Sequence, residues 1–318
     1  MYKRWIVLIV AVIGVLLVVN AAVSKHISRA AEPFGGGRVL ELAGPDLNVD
    51  DHGPRGDHAV VLLHGYSASI QWWDAVAPVL ARNERVITID LVGHGGSEAP
   101  SDPAPYSAEG QATAVSQALD ALGVRHAVLV GHSMGGVVAT ALAEREPNLV
   151  DRVVVSDTPA GPGLTALPVL GKVVCWPVLG AAFDGLRHFD VVDTNSLQTG
   201  FAADFPVPVF AYESLKRMTH NALCNARLAG RLNEEKAVSD RLAGLGKPVR
   251  VVFGERDVLT PTESNIARYR QSGLQPVVIA GAGHSPAVEK PGEFLSAIDT
   301  FVSAASLGRP SLPSGTTR

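Results

Sequence analysis

The sequence predicts an α/β architecture: a mostly parallel, eight-stranded sheet with helices on both faces and a helical cap inserted in it. Three observations predict it. Short β-branched runs alternate with helical spacing from Arg38 onward, and such alternation implies right-handed crossovers and a parallel sheet. One of these strands turns into a helix at Gly131-His132-Ser133-Met134-Gly135-Gly136. Between Pro159 and Glu235 the alternation stops and Pro, Gly, Phe and Leu accumulate, and it resumes at Pro248.

Arg38 to Leu42 and Leu47 to Asp51 read as short strands around a Gly-Pro turn, and Ala59 to Leu63 as a fully apolar strand. Ile70 to Ala81 has helical spacing, and Arg85 to Ile89 is a strand. Ser107 to Leu122 is a helix with Gly123 as its stop. Ala127 to Val130 is a strand, Met134 to Glu144 a helix closed by Pro147, and Val150 to Val155 a strand. After the cap come a strand at Pro248 to Phe253, a helix at Pro261 to Gln271, a strand at Pro276 to Ala280 and a helix at Pro291 to Ser303. The expected division is 1–24 apolar segment, 25–37 linker, 38–158 and 236–304 core, 159–235 cap, and 305–318 disordered tail.

The segment Trp5 to Ser24, WIVLIVAVIGVLLVVNAAVS, has no charge and follows Lys3-Arg4. As a helix it would be about 30 Å long, the thickness of a hydrocarbon core. It reads as a signal anchor, with a cleaved signal peptide as the alternative, since Val19 and Ala21 are small residues of the cleavage-site type. The slight excess of positive charge before it places the N-terminus inside and the rest of the chain outside the cytoplasm. Secretion after cleavage is the alternative. Cys175 and Cys224 would then form a disulfide in an oxidising compartment, or remain two buried thiols.

Of the 318 residues, 47% are hydrophobic and 18% charged, with a net charge of −4, enough to bury a sizeable core and unlike a nucleic-acid-binding surface. No phosphate-cradling glycine loop or clustered metal-ligand motif appears, so neither a cofactor nor a metal is expected.

The chemistry centres on Gly131-x-Ser133-x-Gly135. A serine between glycines, where an apolar strand meets a small-residue helix, forms a nucleophile elbow. The turn lifts the hydroxyl above the sheet edge, and the helix N-terminus adds positive potential where an oxyanion would form. A base should stand late in the chain at a strand end, which His284 does after Pro276 to Ala280. His132 adjoins the serine but points away from it by the geometry of such a turn, and His64 and His94 brace glycine turns. The acid that orients the imidazole is Asp257, after the strand ending at Phe253, with Asp157 as a competitor at a neighbouring strand end. Backbone N–H groups of Met134 and Tyr66 are the expected oxyanion donors, with Ser67 as the alternative to Tyr66.

With these residues the chain resembles the α/β-hydrolase fold superfamily, in its serine-dependent branch with a helical cap. The resemblance rests on His64-Gly65-Tyr66, the Asp90 to Ser97 turn DLVGHGGS, the Ser133 elbow, Gly254 with Asp257, and Gly283-His284 followed by Glu289-Lys290-Pro291. It spans about Arg38 to Val302. Dehalogenases and epoxide hydrolases of this fold use an aspartate nucleophile; Ser133 stands there instead, which sets both activities aside. The resemblance implies two-step acyl transfer through an acyl-enzyme. The apolar cap, with Trp176, Phe183, Phe189, Phe201, Phe205, Phe210 and Met218 as expected pocket residues, and the anchor point to a small lipophilic ester, such as a short or medium acyl ester. Alternatives with the same triad are carbon–carbon hydrolysis of ring-fission products, perhydrolysis and acyl transfer. An alternative of another kind is a non-catalytic ligand receptor.

Overall fold

A computed structural model describes residues 2–184 and 190–303. Phe189, the side chain of Phe183 and the tail expected at 305–318 fall outside the described residues.

The chain begins with α1 (Tyr2–Ser24) and then lays down β1 (Arg38–Leu40), β2 (Leu47–His52), β3 (His58–Leu63), α2 (Ala77–Leu80), β4 (Val86–Ile89), α3 (Ala108–Ala121), β5 (His126–His132), α4 (Met134–Arg145) and β6 (Val150–Ser156). The cap holds α5 (Val169–Val173), α6 (Gly180–Asp184), α7 (Asp190–Leu197), α8 (Val209–Arg217), α9 (His220–Asn225) and α10 (Arg231–Glu235). The core resumes with α11 (Val238–Ala243), β7 (Val249–Gly254), α12 (Thr262–Gln271), β8 (Pro276–Ile279), α13 (Pro286–Glu289) and α14 (Pro291–Ser303).

The eight strands form one sheet in the order β1-β2-β4-β3-β5-β6-β7-β8. β1 and β2 run antiparallel to their neighbours; from β4 to β8 all pairs are parallel. Val128, Leu129 and Val130 of β5 have no exposed surface. Each contributes about 1.5–3 kcal/mol by leaving water, and a strand flanked on both sides and covered on both faces has no reason to alternate with polar residues. The chain leaves β3 for β4 on one side and returns to β5 on the other. That reversal opens a crevice at the carboxyl ends of β3 and β5, where open α/β sheets bind ligands. Register places Leu63 beside Gly131, and His132 beside Ser156, so the loops after these strands emerge at one rim.

The helix expected over Ile70 to Ala81 is broken into a 3₁₀ turn at Ile70–Trp73 and the four-residue α2. Ser69 caps the turn at the Gln71 N–H, and Pro78 has no N–H with which to continue a preceding helix. α3 ends as expected, with Gly123 at φ +71°. Segment 25–37 lies pinned along the core. Arg29 and Ala99 exchange two backbone hydrogen bonds, and the Glu32 N–H donates to Gly96 O at 2.8 Å. The Arg29 guanidinium also donates to Gly95 O and Ser97 O.

α1 has a mean hydropathy of 3.1 over its most apolar stretch and is long and apolar enough to cross a membrane. Of its residues only Ala21 and Ser24 are buried. Cys175 and Cys224 form a disulfide, with Cα atoms 5.5 Å apart and a sequence separation of 49. It ties the chain after α5 to α9. Closing a loop of that length stabilises by about 4 kcal/mol in the chain-entropy account. Reduction, or the double change Cys175→Ser with Cys224→Ser, is therefore expected to lower the thermal midpoint by about 6 °C. A scanning calorimetry trace that stays put after complete reduction, verified by thiol titration, would contradict this.

Candidate active site

Ser133 sits between β5 and α4 with φ +51° and ψ −117°, a conformation that costs a non-glycine residue about 1–3 kcal/mol. The flanking glycines let neighbouring backbone close over it. A Cβ on Gly131 would lie 2.4 Å from Gly135 O, and one on Gly135 would lie 2.2 Å from Leu63 O. The Ser133 N–H donates to Ser156 O at 2.8 Å, and the Gly136 N–H donates to Ser133 O at 3.0 Å. The serine is thereby held at the head of α4.

β7 and β8 deliver the other two groups. His284 Nδ1 lies 2.8 Å from Asp257 Oδ2, and both residues are buried. The Leu259 and Thr260 N–H groups donate to Asp257 Oδ1 at 2.8 and 2.9 Å, and the Thr260 hydroxyl donates to Oδ2. Burial pushes the Asp257 carboxyl up, but the facing imidazole and these hydrogen bonds outweigh it and hold its pKa below the usual range. An ionised Asp257 fixes the imidazole tautomer with the proton on Nδ1 and leaves Nε2 as the acceptor.

Asp157 stands directly behind this pair. Its carboxyl, that of Asp257 and a ring nitrogen of His284 all lie within 4.8 Å of one another. The Gly254 N–H donates to Asp157 Oδ1 at 2.8 Å, and the Ser156 hydroxyl to Oδ2 at 2.7 Å. Burial, then the charge of Asp257, drive the Asp157 pKa well above the ordinary range. The three residues are spaced as metal ligands would be, but their carboxylate lone pairs already face N–H and O–H donors. The two carboxyls are pushed in opposite directions, Asp157 up and Asp257 down, so charge is favoured on the one that faces the imidazole.

His132, expected to point away from Ser133, packs against His284: the two rings are 4.9 Å apart. Its Nε2 lies 2.7 Å from His284 O, so Nε2–H donates and the ring holds the loop that carries His284. Burial, reinforced by the nearby imidazole, lowers its pKa to about 3, which keeps it neutral. Glu289 is a second support. Its Oε2 accepts from the Gly283 N–H at 2.9 Å and from the Ala202 N–H of the cap at 2.8 Å, and its Oε1 accepts from the Ser285 N–H at 3.0 Å. Neither role had a sequence signal beyond adjacency. His64 does brace its turn. Nδ1 donates to Gly65 O at 2.7 Å and Nε2 accepts the Leu91 N–H at 3.0 Å. Beside it Asp90, pushed up to about 6 by burial, accepts from Ile70 N–H, Gly96 N–H and Asn48.

Ser133 and His284 open into one cavity of about 410 Å³ between sheet rim and cap. Tyr66 and Met134 line its floor; Leu197, Phe201, Leu215 and Leu223 line its cap side. Of the residues expected there, Phe201 lines the cavity. Trp176, Phe205, Phe210 and Met218 do not. Phe205 stacks on Phe201, Phe210 meets Trp72 edge-on, Met218 is buried in the core, and Trp176 is 52% exposed.

Residues 58–201 match a family described as the alpha/beta hydrolase fold. The pimeloyl-[acyl-carrier protein] methyl ester esterase of Neisseria meningitidis is 29% identical over 256 residues, 76% of this chain and 93% of the relative. The 2-hydroxymuconate semialdehyde hydrolase of a Pseudomonas species is 27% identical over 293 residues, 85% of this chain and 94% of the relative. Among solved structures, a hydrolase from Pseudomonas aeruginosa superposes with a TM-score of 0.68 at 25% identity, covering 86% of this chain and 99% of that one.

A protonated Asp157 has a signature in stability. Its pKa is raised on folding, so its contribution is fully present below the unfolded carboxyl value, about 4, and is lost as pH rises toward the folded value. Asp157→Asn removes that loss. The folding constant of the parent should fall relative to the variant by up to about tenfold per pH unit above pH 4. Chemical denaturation between pH 4.5 and 7.5 measures this, and parallel pH profiles for the two proteins would refute it.

Proposed function

Because the chain belongs to the α/β-hydrolase fold superfamily and is a hydrolase, we propose that it cleaves a lipophilic carboxylic ester through an acyl-enzyme on Ser133. The observation that carries this reading is the opening of Ser133 and of the Asp257-held His284 into a single apolar cavity under the cap. In this reading His284 Nε2 takes the Ser133 proton as the hydroxyl attacks the acyl carbon. The same proton passes to the departing alcohol, and His284 then deprotonates the water that releases the acid. The N–H groups of Tyr66 and Met134 hold the oxyanion; their placement on the cavity floor supports the assignment. Asp157 and His132 act on the base from behind, as positioning residues.

A second reading, hydrolysis of a carbon–carbon bond, draws on the likeness to the 2-hydroxymuconate semialdehyde hydrolase. The same nucleophile and base serve both, so substrates decide between them.

We read α1 as a membrane anchor with the catalytic domain outside the cytoplasm. Its length, hydropathy and exposure support this, as does a disulfide, which persists in oxidising compartments.

Ser133→Ala should abolish turnover of p-nitrophenyl esters and labelling by a fluorophosphonate while leaving the thermal midpoint in place. Labelling that persists in the variant would overturn the nucleophile assignment. Asp257→Asn should lower kcat by about 10⁴-fold, from loss of the correct tautomer. Preferential turnover of vinylogous diketones over esters would select the second reading.

A further inference from the structure

The cap presents an apolar edge that the catalytic cycle does not use. Trp176, Pro177, Val178 and Leu179 are four consecutive exposed residues without a charged side chain among them, and Val169, seven residues before Trp176, is 76% exposed. This edge runs directly into α6, and α6 packs against α1. The small residues Gly180, Ala181 and Ala182 permit that approach. On α1 the covered face is Leu17, half-buried, with Ala21 and Ser24, buried: one stripe at i, i+4 and i+7. The stripe covers the last two turns of the helix, about 10 Å along its axis.

The chain after α1 leaves little slack. Five residues past Ser24, Arg29 is already locked to Ala99 of the core, a reach of about 17 Å at full extension. A bilayer that holds α1 must therefore lie against this side of the cap, level with the apolar turns of α1 that α6 touches.

Resting on the reading of α1 as an anchor, we propose that the edge Trp176–Leu179 inserts into the interfacial layer of the same bilayer. The substrate then enters the cavity from the lipid phase. The occupant is the bilayer and not a protein partner, because the apolar edge is continuous with the flank of a helix of membrane-spanning length. Trp176 is of the residue type that settles where one end of a side chain is apolar and the other wet. Lys172, exposed one turn earlier, extends toward headgroups. The inner side of the same segment lines the cavity through Leu167, Gly171 and Val174, and Cys175 ties it to α9. One short stretch of chain thus has lipid outside and substrate inside.

The test uses the full chain in phosphatidylcholine nanodiscs with and without acyl-brominated lipid. The protein has four tryptophans; Trp72 and Trp73 are buried. In Trp5→Phe, brominated lipid should quench about a third of the emission, the share of one accessible indole at the interface. In Trp5→Phe with Trp176→Phe the quenching should vanish. Trp176→Phe alone keeps Trp5 as a reporter of α1. If Trp5 is quenched and Trp176 is not, the anchor stands and the docked cap is overturned. If neither is quenched, both fall. Fluorescence needs no turnover, so failure of the esterase reading leaves this outcome intact. Leu179→Asp supplies a functional arm. Its hydrolysis of a vesicle-dissolved ester should fall about tenfold relative to a water-soluble one, by loss of interfacial burial. An unchanged ratio would count against entry from lipid.

Discussion

The strained backbone at Ser133 is the constraint from which the site grows. A serine with φ +51° persists only where its surroundings leave no alternative. Here β6 holds its N–H, the first turn of α4 holds its carbonyl, and the end of β3 presses on Gly135 at a distance that admits no side chain. Each of those contacts requires the parallel register of β3, β5 and β6. The sheet therefore does more than provide a core: its alignment is what keeps a hydroxyl aimed out of the rim and into the cavity.

The histidine side of the site is governed by charge. His284 and Asp257 are both buried, and a buried ion survives only where donors replace water. Asp257 has the Leu259 and Thr260 N–H groups, the Thr260 hydroxyl and the imidazole. A second ionised carboxylate at this spot would be repelled by the first, and burial together with the charge of Asp257 drives the Asp157 pKa well up. Asp90 meets the same demand on the other side of the rim, where backbone N–H groups of two loops converge on one carboxyl.

Strand ends were legible in the sequence because a buried parallel strand is a plain apolar run with its polar residue at the exit. That logic points to Ser133, Asp257 and His284, and the fold brings Asp257 to His284 and opens Ser133 and His284 into one cavity. The supports were not legible. Asp157 and Asp257 look alike as residues after strands, and only the packing assigns the proton to one and the charge to the other. His132 looked like a bystander because adjacency says nothing about the ring of a residue 152 positions away. Cap aromatics misled for a different reason. Large rings are as useful for packing as for lining a pocket: Phe205 stacks on Phe201 within the cap and Phe210 meets Trp72 of the core, while the flexible Met218 side chain is buried. Glycines and prolines of the segment after β6 supply much of the wall instead. The break between the Ile70 turn and α2 was missed because helical spacing of apolar residues is also what a 3₁₀ turn followed by a proline-started helix produces.

The carboxylate of Glu289 grips the cap and the turn bearing the imidazole with the same oxygen atom, through Ala202 and Gly283. Displacement of the chain at Ala202 would therefore be felt at the turn that carries His284, because one shared acceptor joins the two backbones.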